Sequence, residues 1–225
     1  MKNRFFIPSL IALGVTAFSM GGCSFLNPPQ EETTESTTTV EDVDKDFSIG
    51  AVKDKTYTNE FFGLKLTVAD DWSLLNEKEI AEITSTVKDN ISDDEIKEAI
   101  NSGDTRFIMY AMKNDKTQNV NITVQKLPYS TQLADFDINA YVDNSVEQTK
   151  ELLPQNGFEN LDVKKTEITF LSEKVPAIHI NAKYKGNDIH ETQVYCFKGS
   201  YMASITATSS GADTTEGILN TFEKI

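Results

Sequence analysis

Few side chains in this 225-residue sequence are of the kinds that do nucleophilic or metal chemistry. There are two histidines, His179 and His190, and two cysteines, Cys23 and Cys196. The histidines fall on neighbouring predicted strands and could approach one another. Two histidines without a third ligand do not make a metal site, so both are read as rim or surface residues. No metal ligand and no cofactor is assigned. His190-Glu191 begins like the helical zinc-protease motif, but Val194 stands where the second histidine belongs, and the segment has strand periodicity. Ser85-Thr86-Val87-Lys88 matches Ser-x-x-Lys without the companion Ser-Asp-Asn and Lys-Thr-Gly patterns. No Gly-x-Ser-x-Gly and no phosphate loop occurs. Carboxylates are numerous, mostly at helix starts or on polar faces, where they favour the helix dipole or solvation. No catalytic residue is assigned. A pair of catalytic carboxylates is defined by distance in space, however, so that option stays open.

The strongest chemical signal is Met20-Gly21-Gly22-Cys23. A basic start, Met1-Lys2-Asn3-Arg4, precedes sixteen mostly apolar residues from Phe5 to Met20. That run is shorter than the roughly 20 residues a membrane helix needs, and with small residues at its end it has the form of a secretory signal. The pattern resembles the bacterial lipoprotein signal, although Met20 replaces the usual Leu. The resemblance implies cleavage between Gly22 and Cys23. It also implies a diacylglyceryl thioether on Cys23 and fatty acylation, such as palmitate, of the new N-terminus.

The chain carries 21 basic and 35 acidic residues, a net charge of −14. Loss of Lys2 and Arg4 with the leader would take it to −16. Such a charge repels nucleic acid and anionic lipid surfaces, so nucleic acid is excluded as a partner. With Cys23 acylated, Cys196 has no partner for a disulfide. It sits in the apolar run Val194-Tyr195-Cys196-Phe197 and is read as a buried free thiol. Residues 1–22 are thus expected to be a signal peptide and 23–55 a disordered tether rich in Thr, Glu, Ser and Asp. Residues 56–225 are expected to form one folded domain. Asp42, Asp44 and Asp46 start like a calcium loop, but Phe47 and Lys53 occupy its Gly and Glu positions.

Within the domain, Tyr57 to Val68 predicts a strand pair bent at Gly63. Asp70-Asp71-Trp72 follows as a turn, with Trp72 over a core edge. Asn76 with Glu79 makes a capping box for a helix carrying Ile80, Ile83, Val87 and Ile91. Ser92 to Glu95 caps a second helix that stops near Gly103. Strands follow at Phe107 to Met112 and Val120 to Leu127. Asp137 caps a helix with the stripe Ile138, Tyr141, Val142, Val146, Thr149 and Leu153, ended by Pro154 and Gly157. Four strands then form a meander, Val163 to Leu171, Val175 to Tyr184, Ile189 to Phe197 and Tyr201 to Thr208. A closing helix is predicted from Thr214 to about Glu223. Helices separated by hairpins indicate α+β class, with an antiparallel sheet between helices.

Tyr57-Thr58-Asn59-Glu60-Phe61-Phe62-Gly63-Leu64, with Trp72 after a short turn, resembles the opening of PsbP-like domains. The Tyr184 to Tyr201 hairpin and the C-terminal helix suit the same layout. The resemblance covers roughly Lys55 to Ile225 and implies an α/β/α fold, used by bacterial lipoproteins among others. It implies no shared catalytic site. The expectation is therefore an outward-facing protein held on the bacterial cell membrane through Cys23. Its domain would be a non-catalytic binding or scaffold module for a protein or small-molecule ligand. The alternative is an extracytoplasmic hydrolase using carboxylates and histidines gathered by the fold.

Overall fold

The structure is a computed structural model and describes residues 44–90, 105–127 and 137–225. Cys23 and the capping box at Ser92 lie outside them. Strands β1 (Ala51–Lys53), β2 (Thr56–Asn59), β3 (Leu64–Thr67) and β4 (Trp72–Leu74) lead to helix α1 (Glu77–Asn90). β5 (Thr105–Lys113), β6 (Gln118–Lys126), helix α2 (Ile138–Gln155) and the meander β7 (Phe158–Phe170), β8 (Glu173–Tyr184), β9 (Asn187–Lys198) and β10 (Tyr201–Ser210) follow. Helix α3 (Thr215–Leu219) and β11 (Phe222–Lys224) close the chain. Seven strands form one sheet, ordered β4-β5-β6-β10-β9-β8-β7, and four form a smaller one, β1-β2-β3-β11. Every pairing is antiparallel. The class is α+β, as the alternation of hairpins and helices implies.

The helix caps form as the residue types dictate. The Asn76 Oδ1 accepts from the Lys78 and Glu79 N–H groups, and the Asn76 N–H donates to Glu79 Oε2. Asp137 Oδ1 accepts from the Asn139 and Ala140 N–H groups. Pro154 sits inside the last turn of α2, which ends at Gln155. The meander turns tightly. Leu171-Ser172 and Lys185-Gly186 all have positive φ, the conformation that matches strand twist in two-residue hairpins.

One face of the large sheet carries α1 and α2. Tyr141, Val142 and Val146 of α2 pack on Ile178, Ile180 and Tyr195, and Ile83 of α1 packs near Phe107 and Tyr110. A bulge between Phe107 and Met109 lets Phe107 and Tyr110 share that face while Met109 turns to the other. The opposite face is covered by α3 and the small sheet. There Tyr57, Leu64, Leu66, Ile218, Leu219 and Phe222 meet Val120, Ile122, Val194, Ala203, Ile205 and Ala207.

Three local expectations are corrected. The closing helix stops at Leu219, and Phe222–Lys224 is instead a strand paired with Leu64–Leu66. Phe222 there reaches the core at 5% exposure, and edge pairing satisfies backbone groups that a longer surface helix would turn away from β3. Trp72, expected at the end of a turn, opens β4 and pairs with Lys113, although it packs on the edge of the core as expected. The segment before Lys55, read as tether, packs on the domain from Asp44 onward. Phe47 stacks on Tyr201 at 3.9 Å, the Ser200 N–H donates to Asp44 Oδ1, and β1 pairs with β2. Gly50 makes this docking possible, since a Cβ there would lie 2.7 Å from Thr58 O and the Tyr57 ring.

Candidate functional site

The centre of the large sheet bears an unusual surface. Asn119, Asn121 and Thr123 of β6 lie opposite Thr208, Thr206 and Ser204 of β10. Those three lie opposite Glu191, Gln193 and Tyr195 of β9. Alternate residues of a strand share a face, so these nine polar side chains form one block of about 10 Å by 14 Å. Tyr195 packs edge-on against Tyr141 of α2, which places the block on the helix-covered face. All nine are buried, and all but Tyr195 are exposed by 2% or less. Above them Thr149 of α2 is also fully buried.

Five of the nine side chains carry buried atoms that lack a partner among the described residues. The Asn119 carboxamide, Asn121 Oδ1 and the hydroxyls of Thr123, Ser204, Thr206 and Thr149 make no hydrogen bond to any described residue. Buried polar atoms are paired in the great majority of cases, because an unmade bond costs about 1–3 kcal/mol. This concentration of unpaired atoms at the middle of a sheet is what sets the block apart from the rest of the core.

Glu191 ends the block. Tyr195 OH donates to Gln193 Oε1 at 3.0 Å, Gln193 Nε2 donates to Glu191 Oε1, and Thr208 Oγ1 donates weakly to Glu191 Oε2. Burial pushes the carboxyl up to about 8, and the bonds from Gln193 and Thr208 offset only part of that rise. Near neutral pH Glu191 is mostly the neutral acid. Burial also raises Tyr110 and Tyr195, to which Glu191 adds. No lysine, arginine or histidine shares this face of β6, β9 and β10. The block can donate and accept hydrogen bonds, and its one carboxyl, Glu191, stands beside the Thr208 hydroxyl.

The histidines lie on the other face. His190 and Glu191 are consecutive in a strand and point oppositely, which disposes of the zinc-protease motif physically. His179 Nδ1 lies 3.0 Å from Thr192 Oγ1 and its Nε2 3.4 Å from Asp213 Oδ2. His190 Nδ1 lies 2.5 Å from Asn181 Oδ1 and its Nε2 2.9 Å from the Gly211 carbonyl. Burial pulls the Asp213 carboxyl up, but the Thr215 hydroxyl and N–H and the two histidines prevail, so its net shift is downward. The two rings thus clasp the β10–α3 loop to the sheet. Thr192, His179 and Asp213 have the side-chain types of a hydrolytic triad, but the Thr192 hydroxyl is already hydrogen-bonded to Thr215 as well as to His179. Among the described residues no group of three or more His, Cys, Asp or Glu could hold a metal ion.

Of the other candidates, Ser85 is exposed on α1. Cys196 is free and half-buried rather than fully buried, because it packs at the margin of the core. Burial still pushes its thiol up to about 12. A groove of about 430 Å³ between Thr169, Ser172, Asn220 and Lys224 shares no lining residue with the polar block or the histidines. The block itself was missed in the sequence. Its signal was the alternation Asn119, Asn121, Thr123 and Ser204, Thr206, Thr208, which reads as a solvent face until α1 and α2 are seen to lie over that side.

Fold and site together define an α+β domain with an internal polar layer. No family model matches the sequence, and no curated protein matches it. Among solved structures it is similar to the cyanobacterial PsbP protein CyanoP from Synechocystis sp. PCC 6803. The identity is 10% over 80% of this chain and 98% of that one, with a TM-score of 0.46. It is also similar to LpqN, involved in cell envelope biogenesis of Mycobacterium tuberculosis. There the identity is 11% over 70% of this chain and 76% of that one, with a TM-score of 0.36. These likenesses concern the path of the chain; the α+β class rests on the strand pairings above.

Proposed function

We propose that this chain is an outward-facing bacterial lipoprotein, anchored through Cys23, whose domain binds a small polar ligand on the block of β6, β10 and β9. The observation that carries the binding reading is the set of buried, unpartnered carboxamides and hydroxyls centred on Asn121 and Thr206. A polar ligand admitted to the block would pair atoms that make no hydrogen bond among the described residues. The anchor reading rests on Gly21-Gly22-Cys23 after a short apolar run, and among the described residues no helix is long and apolar enough to cross a membrane. Two acyl chains are what stable anchoring requires. The hydrolase alternative would rest on His179 and Asp213, which lie 3.4 Å apart, and not on Glu191, which stands on the opposite face from the histidines.

Two measurements test this. Cells fed a clickable fatty acid should label the wild-type protein and not Cys23→Ala; equal label on both ends the lipoprotein reading. Thermal shift and calorimetry of the intact protein against neutral, cationic and anionic polyols should find a binder. Thr206→Val and Asn121→Leu should abolish that binding while the fold is kept. Binding untouched by both substitutions would place the ligand elsewhere, and turnover of a bound solute would restore the enzyme reading.

A further inference from the structure

We infer that one end of the domain docks on the anionic phospholipid surface that holds Cys23, through the exposed cations Arg106, Lys126 and Lys198 and the exposed Ile49. This rests on the lipoprotein reading and adds which way the domain faces and what keeps it there.

The docking end is assembled from segments far apart in the chain. Phe47 stacks on Tyr201 with ring centroids 3.9 Å apart, and Phe61 meets the two edge-on at 5.4 and 5.8 Å. Arg106 lies over Phe47 at 5.2 Å, Lys126 over Tyr201 at 5.7 Å and Lys198 over Phe61 at 5.2 Å. All three cations are exposed. Among the described residues none of them pairs with a carboxylate, whereas most other lysines of the domain do. Ile49 is 40% exposed and Ile225 53%, two of the three described large apolar side chains left in solvent. Tyr57 OH donates to the Ile49 carbonyl and the Ile225 N–H to the Gly63 carbonyl. Both therefore flank the β2–β3 turn that carries Phe61 and Phe62. Apolar side chains among cations suit a surface lying on a bilayer: the apolar atoms enter the headgroup layer while the cations meet phosphates.

Charge and chain length select this end. The chain as a whole, at −14, is repelled by anionic lipid. Here Lys45 and the three cations outnumber the carboxylates Asp44, Asp46 and Glu60. Asp44 is engaged by the Ser200 N–H, and Glu173 and Glu223 each pair with a lysine. The chain from Cys23 also enters the domain here, at Asp44 beside Tyr201. The 20 residues between Cys23 and Asp44 reach at most about 70 Å, so this end is the one held nearest the bilayer.

Trp72, the chain's one tryptophan, reports on the far end. It pairs with Lys113, at the opposite end of β5 from Arg106, about 20 Å away. The processed protein is purified from cell membranes and reconstituted in vesicles of phosphatidylcholine and phosphatidylglycerol brominated on their acyl chains, which quench nearby indoles. Wild-type emission should be unquenched. Ile49→Trp should add a component that the brominated lipid quenches, and 1 M salt, which shortens the Debye length to about 3 Å, should release it. Replacing Arg106, Lys126 and Lys198 together by Gln in that variant should lower the docked fraction relative to the free about 100-fold. Its circular dichroism and melting temperature should match the parent, since the three side chains are exposed. Phosphatidylcholine alone should quench no more than the high-salt arm, a comparison that needs no charge variant. Quenching of Trp72, no quenching of the new indole, or quenching indifferent to salt and to lipid charge overturns the docking surface. An unquenched new indole that is also shielded from iodide in solution would mean that protein covers this end instead. Protein that washes off the vesicles in high salt ends the lipoprotein reading itself, whereas protein that stays on them with an unquenched new indole ends only the docking.

Discussion

The two faces of the seven-stranded sheet are built from alternate residues of the same strands and are buried to the same degree, yet they are opposites. On one, Val120, Ile122, Val194, Ala203, Ile205 and Ala207 meet the small sheet in a continuous apolar layer. On the other, Asn119, Asn121, Thr123, Gln193, Ser204 and Thr206 lie under the helices at 2% exposure or less. Burying apolar surface yields about 25 cal/mol per Å², whereas burying an unpaired hydroxyl or amide is unfavourable. One face therefore holds the fold together and the other is held by it. A domain tolerates polar cost at its centre where function requires it.

Substitutions that swap the character of the two faces sharpen this contrast. The largest effect belongs to the apolar face. Ile205→Ala removes a fully buried branched side chain from the contact between the sheets and should cost about 2–5 kcal/mol in denaturant unfolding. A cost under about 1 kcal/mol would mean the small sheet is not packed as described.

Next comes Glu191. Its folded value of about 8 lies above the ordinary 4.5, so the folded state binds the proton more tightly. Its contribution is therefore full below about pH 4.5, declines as pH rises toward 8, and is absent above. Each tenfold difference in proton affinity between folded and unfolded states is worth about 1.36 kcal/mol. Wild type should therefore lose roughly 3–5 kcal/mol relative to Glu191→Gln across that window. Parallel pH profiles of the two proteins would show that the carboxyl is solvated, and the contrast between the faces would fail at that corner.

Thr206→Val, the counterpart of Ile205→Ala one residue along, should be neutral or stabilising by up to about 1 kcal/mol, because it deletes an unpaired buried hydroxyl at constant shape. A large destabilisation would mean that Thr206 is satisfied within the fold. The smallest effect is kinetic. Cys196, half-buried opposite Ala203 on the apolar face and raised to about 12, should react slowly with a thiol reagent near neutral pH and rapidly after unfolding. Fast reaction of the folded protein would show that the apolar layer opens at β9 and β10.

Much of the local structure was legible because its causes are local. Asn76 and Asp137 cap their helices through their own side chains, and the meander strands follow from apolar periodicity and tight turns. The tail end of the chain was not. Thr221 to Ile225 has no signal that separates a last helical turn from a short strand, and pairing with β3, more than 150 residues earlier in the chain, decides it. Phe47 likewise reads as part of an acidic tether until Tyr201 offers it a stacking partner.

The sequence by itself determined the α+β class, the antiparallel meander, the caps and the leader pattern ending at Cys23, since each depends on residues near one another in the chain. Only the tertiary structure decided which polar residues are inside. Asn121 and Thr206 have the spacing of a solvent face, and so they would be in a sheet covered once. This sheet is covered twice, by the small sheet below and by α1 and α2 above. Burial is a property of layers stacked from distant segments, so an alternation that would mark one face for water in a sheet covered once is carried here into the interior.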